Sequence, residues 1–331
     1  IVNGTHAISI ALFGLLRPGD IMLSITGRPY DTLSDVIGDK THDGTGSLAD
    51  FGVGYDETEL CDGGVDYPAV AEKIAKYGEK IKVIFIQRSK GYGIRPTFSS
   101  EEIGEMVRFC HERSGAYVVV DNCYGEFCDE KEPTDFGADV IVGSLIKNPG
   151  GGMANCGGYV AGTAKAVELI SYRLTTVGIG TEVGATIGEN RNLFRGFFLA
   201  PHVVAQAKKT AAYASYVFSA LGYDVSPSYD CARHDIIQTV TFGTPEGLCA
   251  FCRGIQAGSP VDAFVTPEPW AMPGYADEVI MAAGAFVSGS SIEISADGPL
   301  REPYTAYFQG GLTFESGRYA ILKAAKCLLN E

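Results

Sequence analysis

The stretch Ala138-Asp139-Val140-Ile141-Val142-Gly143-Ser144-Leu145-Ile146-Lys147-Asn148-Pro149-Gly150-Gly151-Gly152 decides how the chain is read. Its apolar run, Val140 to Val142, predicts a buried strand that stops at Gly143. Lys147 then stands among a serine, a proline and three glycines. The end of a buried strand is a poor place for a lysine unless its amine has a task. One such task is to hold pyridoxal phosphate as an imine and afterwards to move protons. Ser144, three residues earlier, would hydrogen-bond a phosphate, and the glycines permit close backbone approach. A solvated lysine on a strand-to-loop exit is the other reading, and this stretch alone leaves both open.

Working outward, Ala116-Tyr117-Val118-Val119-Val120-Asp121 is another apolar strand, and it ends on a carboxylate. Asp121 and Lys147 lie 26 residues apart, about one crossover unit, so both strand ends would face one crevice. A carboxylate there would pair with a protonated pyridine nitrogen, or else cap a turn. Upstream, Lys82 to Gln87 reads as a strand and Ile21 to Ile25 as a shorter one. Helical patterns separate them over Pro68–Tyr77 and from Ser99 or Ser100 to about Glu112, and Thr163–Leu174 follows as another. Strands alternating with helices predict a mainly parallel sheet covered on both faces.

Gly4-Thr5-His6 precedes an almost wholly apolar run, Ala7 to Leu16, that predicts a buried helix with Thr5 as its cap. The start of that helix is a seat for a phosphate, or simply an ordinary capped end. Tyr30, just past the first strand, would lay its ring on an aromatic cofactor or pack as most tyrosines do. His42 to Gly54 reads as an exposed loop, and Cys156 to Gly162 as a strand turning back beside the lysine. Thr175 to Gly188 is glycine-rich without completing a dinucleotide fingerprint. Pro201 to Leu221 predicts a long connector helix. Strands over 236–242, 278–283 and 291–295, with helices over 246–256 and 316–329, predict a smaller α+β domain.

Composition narrows the function. A length of 331 residues allows two domains, here expected over 1–200 and 201–331. The net charge of −14 argues against nucleic acid or anionic membrane as a partner, so an anionic cofactor would need a local positive site. No apolar run reaches spanning length, so a soluble protein is expected. Nine scattered cysteines suggest reduced thiols in a cytoplasm. Cys249-Ala250-Phe251-Cys252 has metal-ligand spacing, but no second pair stands near to complete four ligands, so no metal is expected. The first residue, Ile1, opens an already helical pattern without initiator Met or cleavage signature, so the chain reads as clipped rather than as a mature secreted protein.

These segments, in their order, resemble the fold-type-I pyridoxal-phosphate enzymes. More narrowly they resemble the methionine gamma-lyase-like, or aluminium-resistance, carbon–sulfur lyases of the cystathionine-lyase superfamily. The likeness is carried by Ile1–Leu16, Ile25–Leu33, Val120–Phe127, Gly143–Gly152, Phe198–Val204, Pro269–Tyr275, Ser290–Pro299 and Tyr307–Thr313. The resemblance implies that Lys147 carries the cofactor and shuttles the proton, that Asp121 binds the pyridine nitrogen and that Tyr30 stacks on the ring. It implies that Gly4, Thr5 and Ser144 hold the phosphate with His6 close by, and that Gln87 or Arg88 lies near the ring's phenolic oxygen. Where related lyases place an arginine for the substrate carboxylate, this sequence has Tyr307; Arg301, with Arg318 behind it, is the substitute expected here beside Arg88, and a surface ion pair is the plain alternative. Relatives carry several dozen residues before the Gly-Thr-His loop, a stretch that reaches the neighbouring subunit's cofactor.

The activity implied is β- or γ-elimination from a sulfur amino acid, by a homodimer or homotetramer. The alternatives are another reaction on the same cofactor, such as transamination, or a non-catalytic relative of the fold. A nicotinamide-dependent oxidoreductase is disfavoured, because no Gly-x-Gly-x-x-Gly joins a strand to a helix.

Overall fold

A computed structural model describes residues 1–38, 44–184, 188–272 and 275–329. Residues 42–43 of the expected loop, 185–187 of the glycine-rich stretch and 273–274 of the Pro269–Tyr275 segment lie outside the described residues. The chain forms two compact units: Ile1–Cys123 with Asp129–Leu145 and Cys156–Gly188, and Tyr124–Cys128 with Ile146–Asn155 and Glu189–Glu331.

In chain order the first unit runs α1 (Gly4–Leu15), β1 (Ile21–Ser24), α2 (Asp31–Ile37), β2 (Gly54–Glu57), β3 (Leu60–Cys61), β4 (Gly64–Val65), α3 (Tyr67–Tyr77), β5 (Ile81–Gln87), α4 (Ser100–His111), β6 (Tyr117–Asp121), β7 (Val140–Ser144), β8 (Gly158–Gly162) and α5 (Ala164–Ser171). Six strands form one sheet in the order β2-β1-β5-β6-β7-β8, and only β8 runs antiparallel within it. The alternation of side chains explains why the central strands are apolar throughout. Val83, Phe85, Val119, Val140 and Val142 pack on one face with Leu12, Leu15 and Ile170 of α1 and α5. Ile84, Ile86, Val118, Val120 and Ile141 pack on the other with Val70, Ile74, Ile103 and Val107 of α3 and α4. This is the doubly covered, mainly parallel sheet that the sequence predicts.

Two local readings change. The cap of α1 is Asn3, whose side chain accepts the His6 amide, and not Thr5; the helix therefore opens at Gly4 rather than Ala7. The strand read as Val140–Val142 continues through Gly143 to Ser144, because β8 turns back and pairs Gly158 with Ser144.

The second unit contains α6 (Asn190–Ala220), β9 (Asp224–Ser226), β10 (Ile237–Thr241), α7 (Pro245–Ala257), β11 (Val279–Ala282), β12 (Ser295–Pro299), β13 (Thr305–Gln309) and α8 (Phe314–Leu329). Its sheet, β11-β12-β13-β10-β9, is antiparallel at every pairing. Here α6 starts eleven residues before the expected Pro201, which sits inside the helix. A strand expected over 291–295 is found at 295–299, with Pro299 as its last residue. Phe218, Phe251, Phe308 and Ile321 lie at the centre of this core, and α7 and α8 cross so closely that a Cβ on Gly254 would come within 2.3 Å of the Ala324 Cα. Gly254→Val should therefore cost about 3 kcal/mol or more of stability by overpacking. Urea denaturation reads this, and a midpoint equal to that of the parent chain would contradict the packing described.

Candidate active site

In the first unit the parallel register lines up three strand ends. Gln87, the last residue of β5, stands opposite Asp121, the last residue of β6, and Asp121 stands opposite Val142, two residues short of the end of β7 at Ser144. All three polar ends are buried. Asp121 is fixed by the Cys123 amide, which donates to its Oδ1 at 3.1 Å. Gln87 spends its side chain on the turn that carries Tyr30: Oε1 accepts the Tyr30 amide at 2.6 Å and Nε2 donates to the Ser89 carbonyl at 3.1 Å. Tyr30 itself remains 38 % exposed.

The start of α1 meets β7 at Gly4. A Cβ on that glycine would lie 2.9 Å from the Ser144 Cβ, so absence of a side chain is what lets the helix start approach the serine. The Gly4 and Thr5 amides belong to the first turn, where a helix has no internal acceptors to offer. They stand at the positive end of the helix dipole, beside Ser144, a donor set that suits a phosphate. His6 is turned to the chain: its Nδ1 accepts the Val2 amide at 3.1 Å, and burial holds its pKa below the ordinary value.

Arg88 is wholly buried. Its Nη2 meets Asp129 Oδ2 at 2.6 Å, Nη1 meets Asn122 Oδ1 at 2.7 Å and Glu132 Oε2 at 3.4 Å, and Nε donates to the Phe98 carbonyl at 3.2 Å. Its guanidinium thus ties the end of β5 to the segment that follows Asp121.

The second unit holds Lys147, half-buried, with Nζ 4.2 Å from the centre of the Tyr124 ring. Asn148 is buried beside it, and its Nδ2 donates to the carbonyls of Tyr124 at 2.9 Å and Glu126 at 3.0 Å. Ser290 Oγ donates to the Ile146 carbonyl at 2.7 Å, and Ser291 Oγ to the Tyr124 hydroxyl at 3.3 Å. Sequence reasoning did not single out Tyr124, Asn148 or the two serines. A serine pair more than 140 residues from the lysine carries no local signal of the contact. Arg301 follows β12 on an exposed turn, where its Nη1 pairs with Asp277 Oδ2 at 3.0 Å. Tyr307 is buried on β13, and burial pushes its phenol up to about 12. Among the described residues no group of three His, Cys, Asp or Glu side chains is arranged to hold a metal ion, and no helix is long and apolar enough to cross a membrane.

A family model described as methionine gamma-lyase matches residues 1–329. The Bacillus subtilis (strain 168) protein YnbB is 53% identical over 333 residues, spanning 100% of this chain and 78% of its own length. The crystal structure of a carbon-sulfur lyase involved in aluminum resistance, from Clostridium novyi NT, is 50% identical with a TM-score of 0.93, covering 98% of this chain and 76% of that one. At 14% identity, a pyridoxal-5'-phosphate dependent protein from Escherichia coli, YhfS, shares the fold with a TM-score of 0.65, covering 99% of this chain and 80% of that one.

Removing the Arg88 guanidinium strands its carboxylate and amide partners. Arg88→Met should destabilise the protein by about 3 kcal/mol, since one partner of a buried pair is left uncompensated. Equilibrium urea unfolding measures it, and a change within about 0.5 kcal/mol, as for an ordinary surface site, would contradict the network.

Proposed function

The chain belongs to the methionine gamma-lyase family, and from that we propose that it is a pyridoxal-phosphate-dependent carbon–sulfur lyase acting on a sulfur amino acid such as cystathionine, methionine or cysteine. The observation that carries this reading is the row of strand ends in the first unit. A fixed carboxylate, Asp121, stands one strand from a helix start packed bare against Ser144. That set fits a pyridine ring bearing a phosphate, because it offers an anion seat and an acceptor for a protonated ring nitrogen. In the chain Lys147 follows Ser144 by three residues, as Tyr124 follows Asp121.

When bound, pyridoxal phosphate supplies the electron sink for the carbanion chemistry. The residues do the rest. Gly4, Thr5 and Ser144 would hold the phosphate, with His6 closing the turn beside them. Asp121 would keep the ring nitrogen protonated. Tyr30 would lie on the ring, and Gln87 steadies Tyr30 through its amide. Lys147 would hold the cofactor and, once released, would take the proton from the substrate α carbon. It would return that proton to a thiol leaving the β carbon directly, or would shift a second proton off the β carbon before the thiol leaves the γ carbon. Arg301 is assigned to the substrate carboxylate, exchanging its exposed pairing with Asp277 for it. Arg88 steadies Asn122 and the segment beyond Asp121. The division of labour is a cofactor-binding part over 1–200 and a small domain over 201–331, with the connector helix α6 crossing that boundary, in a cytoplasmic homodimer or homotetramer.

Protein incubated with pyridoxal phosphate should gain absorbance near the violet edge, and Lys147→Ala should bleach it and abolish turnover. With cystathionine, methionine and cysteine as substrates, keto acid should appear together with thiol or sulfide. Keto acid without thiol or sulfide would mean transamination and would overturn the lyase assignment.

A further inference from the structure

Tyr124 sits in a conformation that bulky side chains avoid. Its φ is +73°, and Phe127, three residues on, has φ +60°. Two aromatic residues in the left-handed region of one short segment are costly and persist where surrounding bonds hold them. Here those bonds are specific. The Asn148 amide gathers the Tyr124 and Glu126 carbonyls, and Cys128 Sγ lies 3.4 Å from the Tyr124 carbonyl. The Tyr124 hydroxyl accepts from Ser291 Oγ. The neighbouring Ser290 holds the carbonyl of Ile146, the residue before Lys147, and the Gly150 amide donates to the Lys147 carbonyl at 3.1 Å. One serine pair and one asparagine thus fix the lysine's backbone and the ring under its amine together.

We propose that Tyr124 is a positioning residue for Lys147, with its ring face as the seat of the amine whenever that amine is not bonded to the cofactor. This rests on the lyase reading, in which Lys147 is released and recaptured in each turnover and carries the α-proton as an ammonium in between. The negative face of an aromatic ring favours the ammonium over the neutral amine, and the 4.2 Å separation from the ring centre lies within the reach of that attraction. The face of the ring supplies this effect, and the backbone bond from Asn148 to the Tyr124 carbonyl, which does not depend on the hydroxyl, aims the ring. Tyr124 therefore acts on where Lys147 waits and on how readily it keeps its proton. Ionisable groups on the elements packed with this ring in the second unit include Glu126 and Cys128 on its own segment, His202, Lys208 and Lys209 of α6, Asp235 beside Ile236 and Glu293 beside Ile292; Lys208 Nζ donates to the Cys128 carbonyl at 2.8 Å. All of them are left unchanged in the test.

The test compares two rings of nearly equal shape and opposite electrostatics. Full-length chain without cofactor is made with Tyr124→Phe and, separately, with pentafluorophenylalanine at position 124. The Lys147 amine is titrated by competitive reductive methylation across pH, read by mass spectrometry of its peptide. Tyr124→Phe should titrate with the parent chain, and the fluorinated ring should lower the amine pKa by about half a unit or more, as should Tyr124→Leu. Equal titration of the phenyl and pentafluorophenyl rings would overturn the proposal, as would a Tyr124→Phe chain that behaves like Tyr124→Leu. Trapping of pyridoxal phosphate on Lys147 in the parent chain is scored separately. Its failure would remove the lyase reading, whereas trapping with an amine indifferent to the ring would remove this inference alone.

Discussion

The lateral pairing of β5, β6 and β7 is the constraint on which the first unit depends. Parallel strands hydrogen-bonded in register stand about 4.8 Å apart, so the pairings Gln87 with Asp121 and Asp121 with Val142 fix the spacing of everything that leaves their carboxyl ends. The strands can be central because both faces are covered. Phe85 and Val119 face α1 and α5, while Ile86 and Val120 face α3 and α4. A one-residue slip of β6 would send Asp121 to a different level of the row and would exchange the two faces of the strand. Hydrophobic packing therefore sets the position of a carboxylate.

Buried polar groups then refine what packing sets. Arg88 crosses from the end of β5 to Asn122, Asp129 and Glu132, holding the segment that leaves Asp121. Gln87 does the same on a smaller scale for Tyr30. In the second unit Asn148 and the Ser290–Ser291 pair surround Lys147 and Tyr124. In each case a buried polar side chain holds neighbouring backbone or side chains in place, which is how strained or charged groups are kept where they are.

Much of this was legible in the sequence. An apolar strand that ends on Asp121, and another followed by Lys147, stand out because charge at such points needs a reason. Alternating strands and helices revealed the parallel sheet. The rest was hidden for identifiable causes. The side-chain partners of Arg88 lie 34 to 44 residues further on, beyond any periodicity. Pro201 looks like a helix start, yet α6 absorbs it in its interior, where the lost hydrogen bond is one of many in a 31-residue helix. Gly298-Pro299 hid the true extent of β12, because proline argues against a strand and here occupies its last position. The left-handed turn at Tyr124 left no sign, since nothing in Asn122-Cys123-Tyr124-Gly125 marks which residue takes it.

Lys147 is proposed as the one amine of the chain that bonds the cofactor. The most direct measurement is borohydride reduction of the protein after incubation with pyridoxal phosphate, followed by peptide mapping. The expected result is a phosphopyridoxyl mass confined to the peptide that carries Lys147. The same mass on a different lysine, or spread over several, would contradict it.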